Sequence, residues 1–189
     1  FYYGKNTAEM SEEEYKEYRR NIQFIFQDPK GSMDPNYTVG DNISFPLISM
    51  NIVKNKDEAQ RLVDDILVKV GLDKSIGSKY PSEISGGQCQ RAAIARALVV
   101  NPKVIICDEP VSALDVSIQA QILNLLRKLQ RELNVSYIFI SHDIGVVNYM
   151  SDTIVVMNKG SVVETGEARE VLLHPKEEYT RKLIESAFV

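Results

Sequence analysis

Apolar and polar positions along this chain sort into two periods. Ala59, Leu62, Val63, Ile66, Leu67 and Val70 recur at i, i+3, i+4 and i+7. That spacing predicts an amphipathic helix over 57–70, closed by Gly71. Ile118, Ile122, Leu125, Leu126, Leu129 and Leu133 make a second stripe, headed by Asp115 as N-cap and ended at Asn134. Arg91-Ala92-Ala93-Ile94-Ala95-Arg96-Ala97-Leu98 is apolar nearly all round and predicts a buried helix. Ser11-Glu12-Glu13-Glu14 is a capping-box pattern, and the basic pair Arg19-Arg20 closes the polar helix it starts.

Three short apolar runs read as strands: Ile22 to Phe26, Val104 to Cys107 and Tyr137 to Ile140. The middle run is polar on neither face, which predicts a central strand covered on both sides. Strand, helix, strand over 104–140 is a βαβ unit, so the sheet is parallel and the crossover right-handed. Elsewhere the pattern is weaker. Phe1 to Tyr3 reads as a strand end closed by Gly4-Lys5-Asn6, and 30–56 as loop with a short helix over 39–47. Ser78 to Glu83 reads as loop and 144–150 as a short helix. Strands at 153–157 and 161–164 form a hairpin about Asn158-Lys159-Gly160. The tail from Ala168 to Phe188 reads as two helices broken at His174-Pro175.

Composition narrows the class. The chain has 189 residues, 44% apolar and 25% charged, which suffices for one domain with a core. A net charge of -4 gives no electrostatic footprint for nucleic acid or anionic membrane. No apolar run approaches the roughly 20 residues needed to span a bilayer. Two cysteines, Cys89 and Cys107, lack metal-ligand spacing and suit a reducing setting. The opening at Phe1, without an initiator Met, reads as the continuation of something longer.

Several polar residues stand where chemistry is done. Ile84-Ser85-Gly86-Gly87-Gln88 precedes the Ala-rich helix, which is expected to begin near Gln88. Serine and glycines at a helix mouth make an anion site, because the first amides lack internal partners and glycine lets a phosphate approach. A plain loop-to-helix junction is the alternative. Asp108 and Glu109 end the central strand, where open α/β sheets place their sites. Either Asp108 holds Mg²⁺ and Glu109 polarises a water, or the two acids cap the next turn. His142 ends the neighbouring strand and is expected beside both acids. There it either senses a terminal phosphate or is incidental. Gln27 follows the first strand, and its amide suits both water and ion ligands. Cys89, in the first turn of the helix, is either a thiol of lowered pKa or structural.

Taken together these motifs resemble the ATP-binding cassette of ABC transporters. Gln27-Asp28-Pro29 resembles the Q-loop, Ser85-Gly86-Gly87-Gln88 the signature motif, and Ile106-Cys107-Asp108-Glu109-Pro110 the Walker B strand with catalytic glutamate. Ser112-Ala113-Leu114-Asp115 resembles the D-loop, and Ser141-His142-Asp143 the switch histidine. Ile25 to Pro35 and His174 to Leu183 resemble the subfamily that energises di- and oligopeptide importers, to which nickel importers are close. The fold implied is α/β of the P-loop NTPase (RecA-like) type, a mostly parallel sheet with an inserted helical subdomain. Residues 1–27 and 100–165 would form the core, 28–99 the helical subdomain with the signature, and 166–189 the C-terminal helices.

The resemblance also implies roles. Two cassettes pair head to tail, so Ser85, Gly86, Gly87 and Gln88 grip the ATP of a second ABC ATPase subunit. Glu109 activates water, His142 contacts the γ-phosphate, Gln27 reports on Mg²⁺ and water, Asp108 serves the metal, and Asp115 couples the two sites. Residues 30–56 face transmembrane permease subunits at the cytoplasmic face of the membrane, and no nucleic acid is involved.

The sequence departs from the family in places. No G-x-x-x-x-G-K-[ST] occurs in residues 1–189, so the first strands and the phosphate-cradling loop are expected upstream of Phe1. These residues alone are expected to bind Mg-ATP weakly or not at all, to lack ATPase activity, and to expose apolar surface. Ile84 stands where the family most often has Leu. ABC ATPases of DNA repair or translation are a rival reading, disfavoured by the short Gln27–Ser85 interval and the acidic balance. A docking module that does not hydrolyse ATP is another.

Overall fold

Local signals set most of the first elements. In the computed structural model, which describes residues 1–187, helix α1 spans Glu12–Asn21. Ser11 Oγ accepts from the Glu14 amide and Glu14 Oε2 accepts from the Ser11 amide, the expected reciprocal cap. The chain passes straight into β1, Ile22–Ile25. At the start, only Tyr2 and Lys5 pair, so the expected strand end is an isolated bridge. Its turn is centred on Tyr3 and Gly4, both at positive φ, one residue earlier than the sequence suggests.

Helix α2, Val39–Ser49, is capped by Thr38 and Asp41 and outruns its expected end at 47. Helix α3, Lys56–Lys69, is stopped by Gly71 at a φ of +75°. Two short helical turns follow, Lys74–Ser78 and Pro81–Glu83, the second on ground expected to be loop. Then come α4 (Gly86–Leu98), β2 (Val104–Asp108), α5 (Val116–Leu133) and β3 (Ser136–Ile140). Asn134 ends α5 in the left-handed region, as its place after the stripe predicts.

The three strands form one sheet in the order β1-β2-β3, so the apolar Val104 run is central as expected. β1 and β2 are parallel, with Ile25 opposite Cys107. Cover on both faces does not hold. Ile25, Ile105 and Cys107 are buried, but Val104 and Ile106 are only partly covered. Phe24 and Phe26, stacked at 5.9 Å, are about half exposed, as is Ile138. Apolar composition reports what a strand tolerates on both faces, not which neighbours it meets.

Helix α4 is the hub of this region. Eight of its residues are buried, five of them small: Cys89, Ala92, Ala93, Ala95 and Ala97. Small side chains let helices approach closely, and α2, α3, α5 and β1 all pack on α4. Ile94, Ile122, Leu126 and Leu129 are fully enclosed there.

The chain divides into two compact units between Ile138 and Phe139. The second unit contains α6 (Ile144–Met150), β4 (Thr153–Asn158), β5 (Ser161–Glu167), α7 (Ala168–Leu173) and α8 (Glu178–Ala187). β4 and β5 form the predicted antiparallel hairpin, turning on Lys159 and Gly160, both at positive φ. Ile154, Val156, Ala168 and Val171 make its small core. The tail breaks at His174-Pro175 as predicted; the expected end at Phe188 lies outside the described residues. Among the described residues no helix is long and apolar enough to cross a membrane.

Glu164 fastens that break. Its carboxylate accepts from the amides of Lys176 (3.0 Å) and Glu177 (3.2 Å). These bonds, the Lys176 amide above all, hold its carboxyl below the ordinary 4.5. The stabilisation is therefore present above pH 4.5 and is lost as pH falls through the depressed value. Glu164→Gln is expected to speed amide exchange across 176–187 at pH 7. Parent and variant should converge as acid protonates the parent; a pH-independent gap between them would contradict this linkage.

Candidate functional site

Parallel pairing of β1 and β2 starts the two following loops side by side. Gln27 and Glu109 meet there although 82 residues separate them: Gln27 Nε2 donates to Glu109 Oε2 at 3.0 Å. Ser112 completes the group. Its Oγ donates to the Glu109 carbonyl at 3.1 Å and stands 3.5 Å from Gln27 Nε2. Glu109 itself has a φ of +44°, a left-handed backbone rare for a non-glycine residue. Strain of that kind costs on the order of 1 kcal/mol and gathers at functional positions. Asp108 remains in the strand and is exposed. Among the described residues no three acids, cysteines or histidines cluster as a metal cage.

A second group is built from two helix starts. Ser85 caps α4: its Oγ accepts from the Gln88 amide at 3.3 Å, and Gln88 Oε1 accepts from the Ser85 amide at 2.9 Å. The helix therefore begins at Gly86, not near Gln88, because Gln88 serves as the third helical residue of a capping box. Gly86 and Gly87 become the first two helical residues, whose N–H groups have no partner inside the helix. A Cβ on Gly87 would stand 3.0 Å from Ile118 Cγ2, whereas one on Gly86 would meet only Leu114 Cδ2 at 3.9 Å. Gly87 thus lets the start of α4 lie against the start of α5. Asp115 caps α5, accepting from the Ile118 amide (3.0 Å) and the Ser117 hydroxyl (2.8 Å). Those two donors hold its carboxyl below the usual range.

A cavity of about 160 Å³ joins the two groups, lined by Gln27, Pro29, Gly86, Gln90, Pro110 and Leu114. Gln90 is 1% exposed, and among the described residues its Nε2 has no acceptor. Cys89 does not gain a reactive thiol from the helix start. It is buried, its Sγ lies 3.7 Å from the Pro81 carbonyl, and burial pushes its pKa up, not down. Cys107 behaves alike, pushed up to about 12 by burial.

His142 belongs to the second unit and is exposed. The next residue, Asp143, caps α6 by accepting from the Val146 amide at 3.1 Å. In the first unit the structure thus joins Gln27 to Glu109 and sets Ser85–Gln88 beside the Asp115 helix start. Nothing in the pattern of residues marks Ser112 as a member of the Gln27 group, since one hydroxyl in a turn carries no periodicity.

A family model described as ABC transporter matches residues 3–112. The chain is 49% identical over 181 residues to the oligopeptide transport ATP-binding protein OppF of Escherichia coli (strain K12), covering 96% of this chain and 54% of that protein. It is 50% identical over 181 residues to the glutathione import ATP-binding protein GsiA of the same organism, covering 96% and 29%. The chain thus spans about half of OppF and less of GsiA. A solved ATP-binding cassette, dimeric and in a post-hydrolysis state bound to ADP and Pi, superposes with a TM-score of 0.72 at 31% identity, over 85% of this chain and 69% of that one. The parallel sheet and its helices are those of the P-loop NTPase fold, and the chain belongs to the ABC transporter family of ATP-binding subunits.

Proposed function

We propose that this chain is part of the ATP-hydrolysing subunit of an importer for small peptides. The observation that carries the reading is the Gln27–Glu109 hydrogen bond at 3.0 Å, at the carboxyl ends of two paired parallel strands. It puts a carboxylate able to take a proton beside an amide able to hold a water, the pair that phosphoryl transfer to water requires. The relatives named for oligopeptide and glutathione import favour a peptide cargo over nickel.

In this reading Glu109 orients the attacking water and accepts its proton, and Gln27 holds that water and senses the metal. Mg²⁺ bound with ATP would supply charge neutralisation on the phosphate oxygens. Such an ion is held by one or two carboxylates plus phosphates and water, so exposed Asp108 fits it without a protein cage. Ser85, Gly86 and Gly87 offer a hydroxyl and free helix-start amides to the phosphates of an ATP held by a second ABC ATPase subunit. Gln88 keeps that cap in shape, Asp115 passes the state of one site to the other, and His142 touches the γ-phosphate. Residues 1–27 and 100–165 form the catalytic core, 28–99 the helical subdomain and 166–189 the C-terminal helices. Residues 30–56 meet permease subunits at the cytoplasmic face of the membrane.

The test is reconstitution of the whole gene product with its permease in vesicles. ATP-driven uptake of a labelled oligopeptide is expected, lost in Glu109→Gln. Hydrolysis stimulated by nucleic acid, with no association with permease subunits, would overturn the reading.

A further inference from the structure

Arg96, in the last turn of α4, faces a loop instead of an acid. Its Nη1 donates to the Ser32 carbonyl, and its Nη2 donates to Ser32 Oγ at 2.9 Å. Among the described residues these contacts to Ser32 are its hydrogen bonds, and no carboxylate pairs with it. Burial pulls the pKa of this guanidinium down. This half-buried cation faces neutral oxygens, and its planar fork fixes a direction that lysine cannot.

What the fork grips leads back to the site. Ser32 Oγ donates to the Pro29 carbonyl at 2.9 Å, and the Ser32 amide donates to the Asp28 carbonyl at 3.1 Å. The Gly31 amide donates to Asp28 Oδ1 at 2.9 Å, so 28–32 is one knotted turn. Gln27 immediately precedes it and bonds Glu109. The helix that carries Arg96 begins at Gly86 and is 13 residues long. A helix of that length is a rod of about 20 Å.

We propose that Arg96 is a positioning residue: by anchoring Ser32 it holds Gln27 against Glu109, and it thereby links the Ser85–Gly87 end of α4 to the hydrolytic pair. This rests on the roles proposed above for Gln27 and Glu109. A phosphate that draws in the head of α4 moves its tail, and with it the turn that follows Gln27.

The test is a double-mutant cycle on ATP turnover by the whole gene product, assembled with its partner subunits. Arg96→Met is expected to lower kcat about tenfold or more with KM for ATP unchanged, since misplacement of a reacting group by an ångström is worth up to about a hundredfold. Arg96→Lys should recover part of the loss, and Ser32→Ala, which keeps the carbonyl, should lose less than Arg96→Met. In a Gln27→Ala background Arg96→Met should have no further effect, because both act through one group. Multiplying effects, or an unchanged kcat in Arg96→Met, would sink the proposal. Amide exchange on the whole gene product separates its failure from failure of the hydrolytic reading. If Gln27→Ala leaves turnover intact, that reading falls. Faster exchange at Gly31 and Ser32 in Arg96→Met, with α4 at parent rates, still supports the anchor, and unchanged exchange there refutes it.

Discussion

Replacing Glu109 with Gln is expected to reduce ATP turnover by roughly a hundredfold to ten-thousandfold, the range that general bases supply. The substitution is nearly isosteric. The φ of +44° at this position is no harder for Gln than for Glu, and the amide oxygen still accepts from Gln27 Nε2. The fold and the Gln27 contact should therefore persist, and melting temperature should change little. What disappears is the capacity to take a proton from water. Single-turnover measurements on the whole gene product should show ATP bound but not cleaved. If cleavage continues near the parent rate, Glu109 is not the base, and the Gln27–Glu109 pair is a structural clasp.

The second large effect separates stability from function. Gly86→Asp places a carboxylate on the first helical residue of α4. There is room for it: a Cβ would find only Leu114 Cδ2 at 3.9 Å, and Gly86 is not among the glycines at positive φ. An acid at a helix start is stabilising by about 0.3–1 kcal/mol, so the melting temperature should hold or rise. The same carboxylate occupies the free amides and repels a phosphate brought to them. Turnover in the assembled complex should fall by about a hundredfold or more, the cost of losing donors aimed at developing charge. Gly86→Ala, which adds bulk without charge, should fall far less. Equal losses for Ala and Asp would assign the site to shape and not to anion binding.

How much of this was legible beforehand follows from the range of each interaction. Ser11, Asp115 and Asn134 announce helix ends through bonds to residues within a few positions, and all three did so correctly. The stripes at Ala59–Val70 and Ile118–Leu133 are also local, and they gave α3 and α5. The start of α4 was misjudged by two residues because the Ser85–Gln88 reciprocity competes with the ordinary reluctance to begin a helix on two glycines. Exposure of Phe24 and Phe26 is tertiary information, invisible in an apolar run. Contact between Gln27 and Glu109 was inferable from parallel pairing alone, whereas the Arg96–Ser32 anchor, across 64 residues, left no pattern at all.

The two buried cysteines carry a practical consequence. Only a thiolate reacts with disulfide reagents, and burial holds both groups as thiols. Modification must wait until the surroundings part. Cys89 becomes accessible when the first turn of α4 leaves the Pro81 carbonyl, and Cys107 when the strand that ends at Asp108 is laid open. The protein thus carries two native clocks, one on α4 and one on β2, whose separate rates time the loosening of each without a foreign probe.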